Sequence, residues 1–248
     1  MRLAAGLTLL LATFAIAAER PNAVFVLRNS QVAPAAFREF RSQTGADACD
    51  CILSGEDLSA ERLSQAKFLF LEHPSEPFLT RLKIAAGEAV RRGTIVVTDV
   101  PEVVQRAWNI ELPYAPARRI MPYWQNGGLE NMLGFFLTAY REAGGTATVT
   151  IAPPKETPRS GVYHPEAPQV YRDLASYLAW YRQAKPGLGL LAVVTFYQTY
   201  LNKGDLAFID ALLRELEKEG LAAAGVFGWP HRSLESVFSA PPDDPWKV

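Results

Sequence analysis

Residues 68–98, FLFLEHPSEPFLTRLKIAAGEAVRRGTIVVT, decide the fold. Phe68-Leu69-Phe70-Leu71 is apolar at every position, too short for a helix, and followed by Glu72, His73 and Pro74. Phe78, Leu82, Ala85, Ala86, Ala89 and Val90 then recur at spacings of three and four, which is one face of a helix, and Gly93 stands where a left-handed C-terminal cap belongs. Thr94-Ile95-Val96-Val97-Thr98 is a second apolar run, closed by Asp99 and Pro101. A strand that is apolar on both faces must be covered on both, so strands of this kind alternating with helices predict a parallel sheet with helices above and below it.

Working outward, Ala23-Val24-Phe25-Val26-Leu27 reads as an earlier strand and Pro34 to Arg41 as the helix after it, stopped near Gly45. Downstream of Pro113 and Pro116, the stripe Met132, Leu133, Phe136, Leu137, Tyr140 predicts a helix ending at Gly144-Gly145, and the β-branched run Thr146 to Ile151 predicts a strand. Pro153, Pro154, Pro158, Pro165 and Pro168 then crowd one short interval, which suits an extended connector and places a domain boundary there. Beyond it come an aromatic-rich helix from Tyr171 to Ala184, a strand from Leu188 to Thr195, and a helix with Leu206, Ile209, Leu212, Leu213 and Leu216 on one face. Asp205 is expected to cap that helix and Gly220 to stop it before a strand from Leu221 to Phe227.

The expected fold class is α/β. A parallel-sheet domain of Rossmann or flavodoxin-like type spans residues 19–152, a proline-rich connector 153–168, and the start of a second α/β domain 169–248. Two recognisable strands make a marginal core, so this second domain is expected to be incomplete.

Residues 1–18 hold one charge, Arg2, and an apolar run from Leu3 to Ala18 that ends in the small-x-small pattern Ala15-Ile16-Ala17. This is the signature of a cleavable signal peptide. The run is shorter than the roughly 20 residues needed to span a bilayer. The expectation is a periplasmic or secreted protein with no membrane span after cleavage. With 25 Lys and Arg against 26 Asp and Glu, the formal net charge is −1, which argues against a nucleic-acid partner.

Only two cysteines occur, Cys49 and Cys51. Two residues apart, they are badly placed for a disulfide. With Asp47 and Asp50 they offer a soft-metal site; the alternative is a pair of thiols at a strand start, favoured because closed sites usually take four ligands. No Walker A loop is present, so no ATP site is expected, and there is no Gly-x-Ser-x-Gly elbow or His-Glu-x-x-His helix. Gly187 to Ala192 mimics a dinucleotide fingerprint but lies before and inside a strand, the wrong place to approach a pyrophosphate.

The histidines are His73, His164 and His231. In Gly161-Val162-Tyr163-His164-Pro165-Glu166-Ala167-Pro168, His164 and Glu166 would point the same way from an extended backbone. They could ligate a divalent metal or shuttle protons, or else bond backbone groups and fix the connector. His73 sits at the carboxyl end of a strand, where open α/β sheets bind ligands. His231, beside Trp229 and Pro230, follows the last strand in the same way.

The segment Gly161 to Pro168, followed by Tyr177 to Tyr181, Gly189 to Thr195, Gly204-Asp205 to Leu213, Glu217 and Gly220, resembles the cobaltochelatase large subunit (CobN) and magnesium chelatase H subunit family. Upstream, Tyr123 to Asn131 is similar to that family's Gly-Gly-x-Glu-Asn segment. Gly127, Gly128, Glu130, Asn131, Gly161, Pro165 and Asp205 are the motif residues. The resemblance implies a tetrapyrrole-handling subunit that works with ATP-hydrolysing partner subunits to insert cobalt or magnesium. A divalent metal and a tetrapyrrole are the implied ligands, with His164, Glu166, Tyr163 and His73 as candidate contacts. Trp108, Tyr123, Trp124, Trp180, Tyr181, Tyr197 and Tyr200 could supply flat surfaces for a macrocycle, although most are expected to be core or interdomain packing. Family members are several times longer, so the chain is expected to hold the N-terminal portion only. A signal peptide places it where ATP is absent, which favours salvage of metallo-tetrapyrroles and metal removal, with an outer-membrane receptor as a possible partner. The competing expectation is a non-catalytic binding module for a metal or metallo-tetrapyrrole.

Overall fold

A computed structural model of the chain describes residues 22–28, 30–47, 49–53, 57–187, 189–228 and 237. The expected signal peptide and His231 lie outside the described residues.

Four short strands, β1 (Ala23–Val26), β2 (Asp50–Ile52), β3 (Phe68–Leu71) and β4 (Ile95–Thr98), form one sheet in the order β2-β1-β3-β4. All three pairings are parallel, with Phe25 opposite Phe70 and Leu69 opposite Val96. This matches the expected class, because the β2-β1-β3-β4 order is the opening of the flavodoxin-like arrangement. Alternate side chains divide between two cores. Phe25, Phe68, Phe70 and Val97 meet α1 (Val32–Thr44), α5 (Tyr114–Asn126) and α6 (Gly128–Glu142) on one face. Val24, Val26, Leu69, Leu71 and Val96 meet α2 (Ala60–Gln65), α3 (Glu76–Arg91) and α4 (Pro101–Trp108) on the other. At the centre of the first core, the rings of Phe25 and Phe136 meet edge to face at 4.8 Å. Truncating Phe25 to Ala would cost about 3–5 kcal/mol, because a packed interior cannot collapse into so large a void.

The second sheet has the order β5-β7-β6, built from β5 (Gly161–Tyr163), β6 (Leu191–Phe196) and β7 (Ala222–Phe227). β6 runs parallel to β7 and β5 runs antiparallel to it. α7 (Leu174–Ala184) covers one face through Leu174, Tyr177, Leu178 and Tyr181. α9 (Ala207–Lys218) covers the other through Ile209 and Leu213. Between β6 and α9 lies a short helix, α8 (Gln198–Lys203), ended by Gly204 in the left-handed conformation.

Three sequence expectations change. Thr146 to Ile151 is not a strand: Ala147, Val149 and Ile151 do alternate onto the first core, but the Arg141 guanidinium, not a neighbouring strand, takes the carbonyls of Ala147 and Val149. The proline-rich stretch is not uniformly a connector, since Gly161 to Tyr163 pairs with β7 while the flanking prolines stay outside the ladder. Asp205 makes no cap, because α9 begins one residue later, after Leu206, with no side-chain cap. No helix among the described residues is long and apolar enough to cross a membrane.

Candidate binding crevice at the sheet switch point

From β1 the chain turns to α1 on one face of the first sheet, and from the adjacent β3 it turns to α3 on the other. The two connections part, and a crevice opens between the carboxyl ends of these strands, where open α/β sheets place ligands. Arg28 follows β1, Glu72 and His73 follow β3, and Asp99 follows β4.

α8, from the second half of the chain, closes this crevice. Lys203 forms an ion pair with Glu72, and Glu72, only 5% exposed, also accepts from the Arg28 backbone N–H at 2.6 Å. The backbone of Gln31 donates to the Lys203 carbonyl at 3.1 Å, and the amide of Asn202 donates to the Gln125 carbonyl at 2.9 Å. β6 delivers α8 from its own carboxyl end, so both sheets point that end at one space. Two adjoining lobes of about 830 and 640 Å³ share Arg28, Glu72, His73, Thr199 and Lys203. Phe78, Arg81, Tyr197 and Tyr200 line the first, while Trp124, Arg159 and Asn202 line the second.

His73 lies at the rim of both lobes with φ of 38°, an uncommon conformation for a residue other than glycine. Asp99 holds it twice. Its Oδ1 accepts from the His73 backbone N–H at 2.9 Å, and its Oδ2 lies 2.5 Å from Nδ1. The Arg28 guanidinium donates to the His73 carbonyl at 2.8 Å. The imidazole itself is 58% exposed.

His164 is placed oppositely. It is buried among Tyr177, Trp180 and Tyr181. Residues 164–167 form a turn with Pro165 second, in place of the expected extended segment; the Ala167 N–H donates to the His164 carbonyl at 3.1 Å. Nδ1 accepts from the Glu166 N–H at 3.2 Å, so Nε2 carries the proton and donates to Glu217 at 3.0 Å. Glu217 also accepts from Tyr181 at 2.7 Å and from Lys185 at 2.5 Å, and Lys185 reaches Glu166 at 3.0 Å. Burial lowers the pKa of His164 and keeps it neutral. Burial opposes the charge on Glu217, but the hydrogen bonds from Lys185 and Tyr181 outweigh it and hold its pKa below the usual value. Both imidazole nitrogens are engaged, and in this arrangement neither faces a metal.

Tyr163 points to the other face of β5, donating to Asp210 at 2.8 Å, and burial first, with that bond, raises its pKa. Burial pushes the thiols of Cys49 and Cys51 up to about 11 and about 12, so both are neutral thiols at neutral pH. Among the described residues, no three of His, Cys, Asp and Glu converge on a metal-sized site.

Residues 121–241 match the family model for CobN/Magnesium Chelatase. This stretch belongs to the CobN/magnesium chelatase family. It is 27% identical over 106 residues to the magnesium-chelatase H subunit of Chlorobaculum parvum (strain DSM 263 / NCIMB 8327), covering 41% of this chain and 8% of that protein. The catalytic subunit of cobaltochelatase from Mycobacterium tuberculosis shares 16% identity at a TM-score of 0.48, over 89% of this chain and 18% of that one. The chain thus spans less than a fifth of the length of either relative.

Several motif residues of this CobN-like stretch have a physical reason. At Gly127, φ is +60°, and a Cβ there would lie 2.6 Å from the Asn202 carbonyl oxygen, so only glycine lets α8 approach this closely. Gly128 also has positive φ. Asn131, 6% exposed, donates to the carbonyls of Gly127 and Lys155 and accepts from the Lys155 N–H at 2.8 Å, clamping the start of the connector. A Cβ on Gly161 would lie 2.5 Å from the Tyr171 carbonyl oxygen. Among the described residues, Glu130 reaches only the exposed Lys155, at 3.5 Å. Asp205 lines the first lobe. Sequence reading missed Arg28, Glu72 and Lys203 as site residues. The Glu72–Lys203 pair spans 131 positions and leaves no local signal, although a charged residue directly after an apolar strand was a usable hint.

Proposed function

We propose that this chain is part of a CobN-like chelatase large subunit, that it binds a tetrapyrrole, corrin or porphyrin, in the switch-point crevice, and that it takes part in metal insertion or removal. The observation that carries this is the family match over residues 121–241, because that stretch supplies α8 and Gly127, one wall of the crevice. The lining suits the ligand class. Trp124, Tyr197 and Tyr200 offer aromatic faces to a flat macrocycle, and Arg28, Arg81, Arg159 and Lys203 offer cations to its carboxylate substituents. Export through the Leu3 to Ala18 segment is part of the proposal, as are chelatase partner subunits or a surface receptor. In an exported protein without ATP, metal removal from a salvaged macrocycle is the favoured direction.

The test is an absorbance and fluorescence titration of the full chain with protoporphyrin IX and with a cobalt corrin. Saturable binding weakened by Tyr200→Ala and Arg159→Ala is expected. Absence of binding to either macrocycle would sink the reading, and binding that never leads to metal transfer when the partner subunits are supplied would reduce the chain to a binding module.

A further inference from the structure

We infer that His73 is an axial ligand, through Nε2, for the metal of a macrocycle seated in the crevice. This rests on the tetrapyrrole reading above and goes beyond it by assigning the metal contact.

The imidazole hangs from the first turn after β3 at the rim shared by both lobes, and it is more exposed than buried. Asp99 fixes its orientation through the backbone N–H and the ring. The short contact at Nδ1 keeps the proton on that nitrogen, which leaves the Nε2 lone pair outward; among the described residues nothing bonds to Nε2. A carboxylate holding one imidazole nitrogen while the other faces open space is how metal-binding histidines are oriented and made more basic. The backbone there has positive φ, and Arg28 grips the His73 carbonyl, so two neighbours hold the residue in a conformation it would not choose alone.

The single ligand is itself informative. No cluster of three ligating residues exists among the described residues, so His73 is poorly suited to capture a bare ion. One histidine suffices when the metal arrives already held by four ring nitrogens and lacks only an axial donor. Coordination then needs no proton transfer: Nε2 gives its lone pair to the metal, a weakly held axial water leaves, and Nδ1–H stays on Asp99. Arg28 and Lys203 lie beside the same rim, placed for the carboxylates of the macrocycle.

The experiment compares haem with metal-free protoporphyrin IX on the full-length wild type and on His73→Asn, His73→Ala and Asp99→Asn. Asn tolerates positive φ, which guards against mere loss of folding. The wild type is expected to give the absorption and electron-paramagnetic signature of an imidazole-ligated haem. Both His73 variants should lose that signature and bind haem roughly tenfold to a hundredfold more weakly, with added imidazole restoring it, and should bind metal-free protoporphyrin as the wild type does. As a positioning residue, Asp99 should shift the signature without abolishing it. An unchanged signature in His73→Asn overturns the assignment while leaving the tetrapyrrole reading in place. Failure of the wild type to bind either macrocycle removes that reading and the assignment together.

Discussion

The chain sets two histidines beside carboxylates in its two α/β units and surrounds them differently. His164, in the second unit, has both nitrogens bonded inside a shell of aromatic rings, and Glu217 ties it to Tyr181 and Lys185. His73, in the first unit, has one nitrogen on Asp99 and the other facing a crevice. The contrast teaches that a histidine–carboxylate pair says little about role until the second nitrogen is accounted for. Enclosed, it is a joint in the framework; open, it keeps one nitrogen accessible from the crevice.

The harshest test of that contrast is Glu217→Ala. It strands the buried His164 N–H and leaves Lys185 paired with Glu166 alone, and removing one partner of a buried charged network costs about 3–5 kcal/mol. Urea unfolding should show the midpoint falling by that amount, with macrocycle affinity per folded molecule unchanged. His164→Ala comes next, at about 1–3 kcal/mol for the lost bonds to Glu217 and to the Glu166 N–H and a small void, again without loss of affinity. If either change weakened haem binding in protein shown to be folded, the division between joint and donor would fail.

How much of this was legible beforehand follows the range of each signal. β3, α3 and β4 were readable because an apolar run, a repeat at three and four, and a capping glycine are all local. Thr146 to Ile151 misled because a half-buried irregular segment lying along a helix layer shows the same alternation as a strand. β5 was hidden by the prolines around it, which cannot donate to a ladder but flank three residues that do. The cysteines were read as thiols at a strand start, and Cys49 stands just before β2 with Cys51 inside it. Of the crevice, His73 was flagged from its place at a strand end. α8 and Lys203 were not, because what gives them meaning is Glu72, far away in sequence.

A smaller effect sharpens the first-unit side of the comparison. Lys203→Ala leaves Glu72, itself buried, accepting among the described residues only from the Arg28 backbone. Losing a charged hydrogen-bond partner there should cost about 1.5–3 kcal/mol, less where water can enter the crevice. Unlike His164→Ala, it should also weaken the macrocycle, because the lost cation faces the same space. A double-mutant cycle with Glu72→Gln would assign the shared part to the ion pair.

The gentlest probe is pH. The folded pKa of His164 lies below its ordinary value of 6.5, chiefly because burial disfavours the imidazolium. Above pH 6.5 the ring is neutral in both folded and unfolded chains and contributes no slope. As pH falls below 6.5, the unfolded chain takes up the proton first, so stability declines until the folded ring also titrates. Glu217 acts in the same direction lower down: its folded pKa lies below the ordinary 4.5, since the bonds from Lys185 and Tyr181 overcome the effect of burial, and stability is lost as pH falls through that range. One proton limits the slope to about 1.4 kcal/mol per pH unit. Urea midpoints measured from pH 7.5 to 5 should therefore decline in the wild type and flatten in a His164→Gln variant that still folds. A slope that survived loss of His164 would mean that the enclosed histidine is not the one that senses acid, and the role assigned to its closed network would have to be given up.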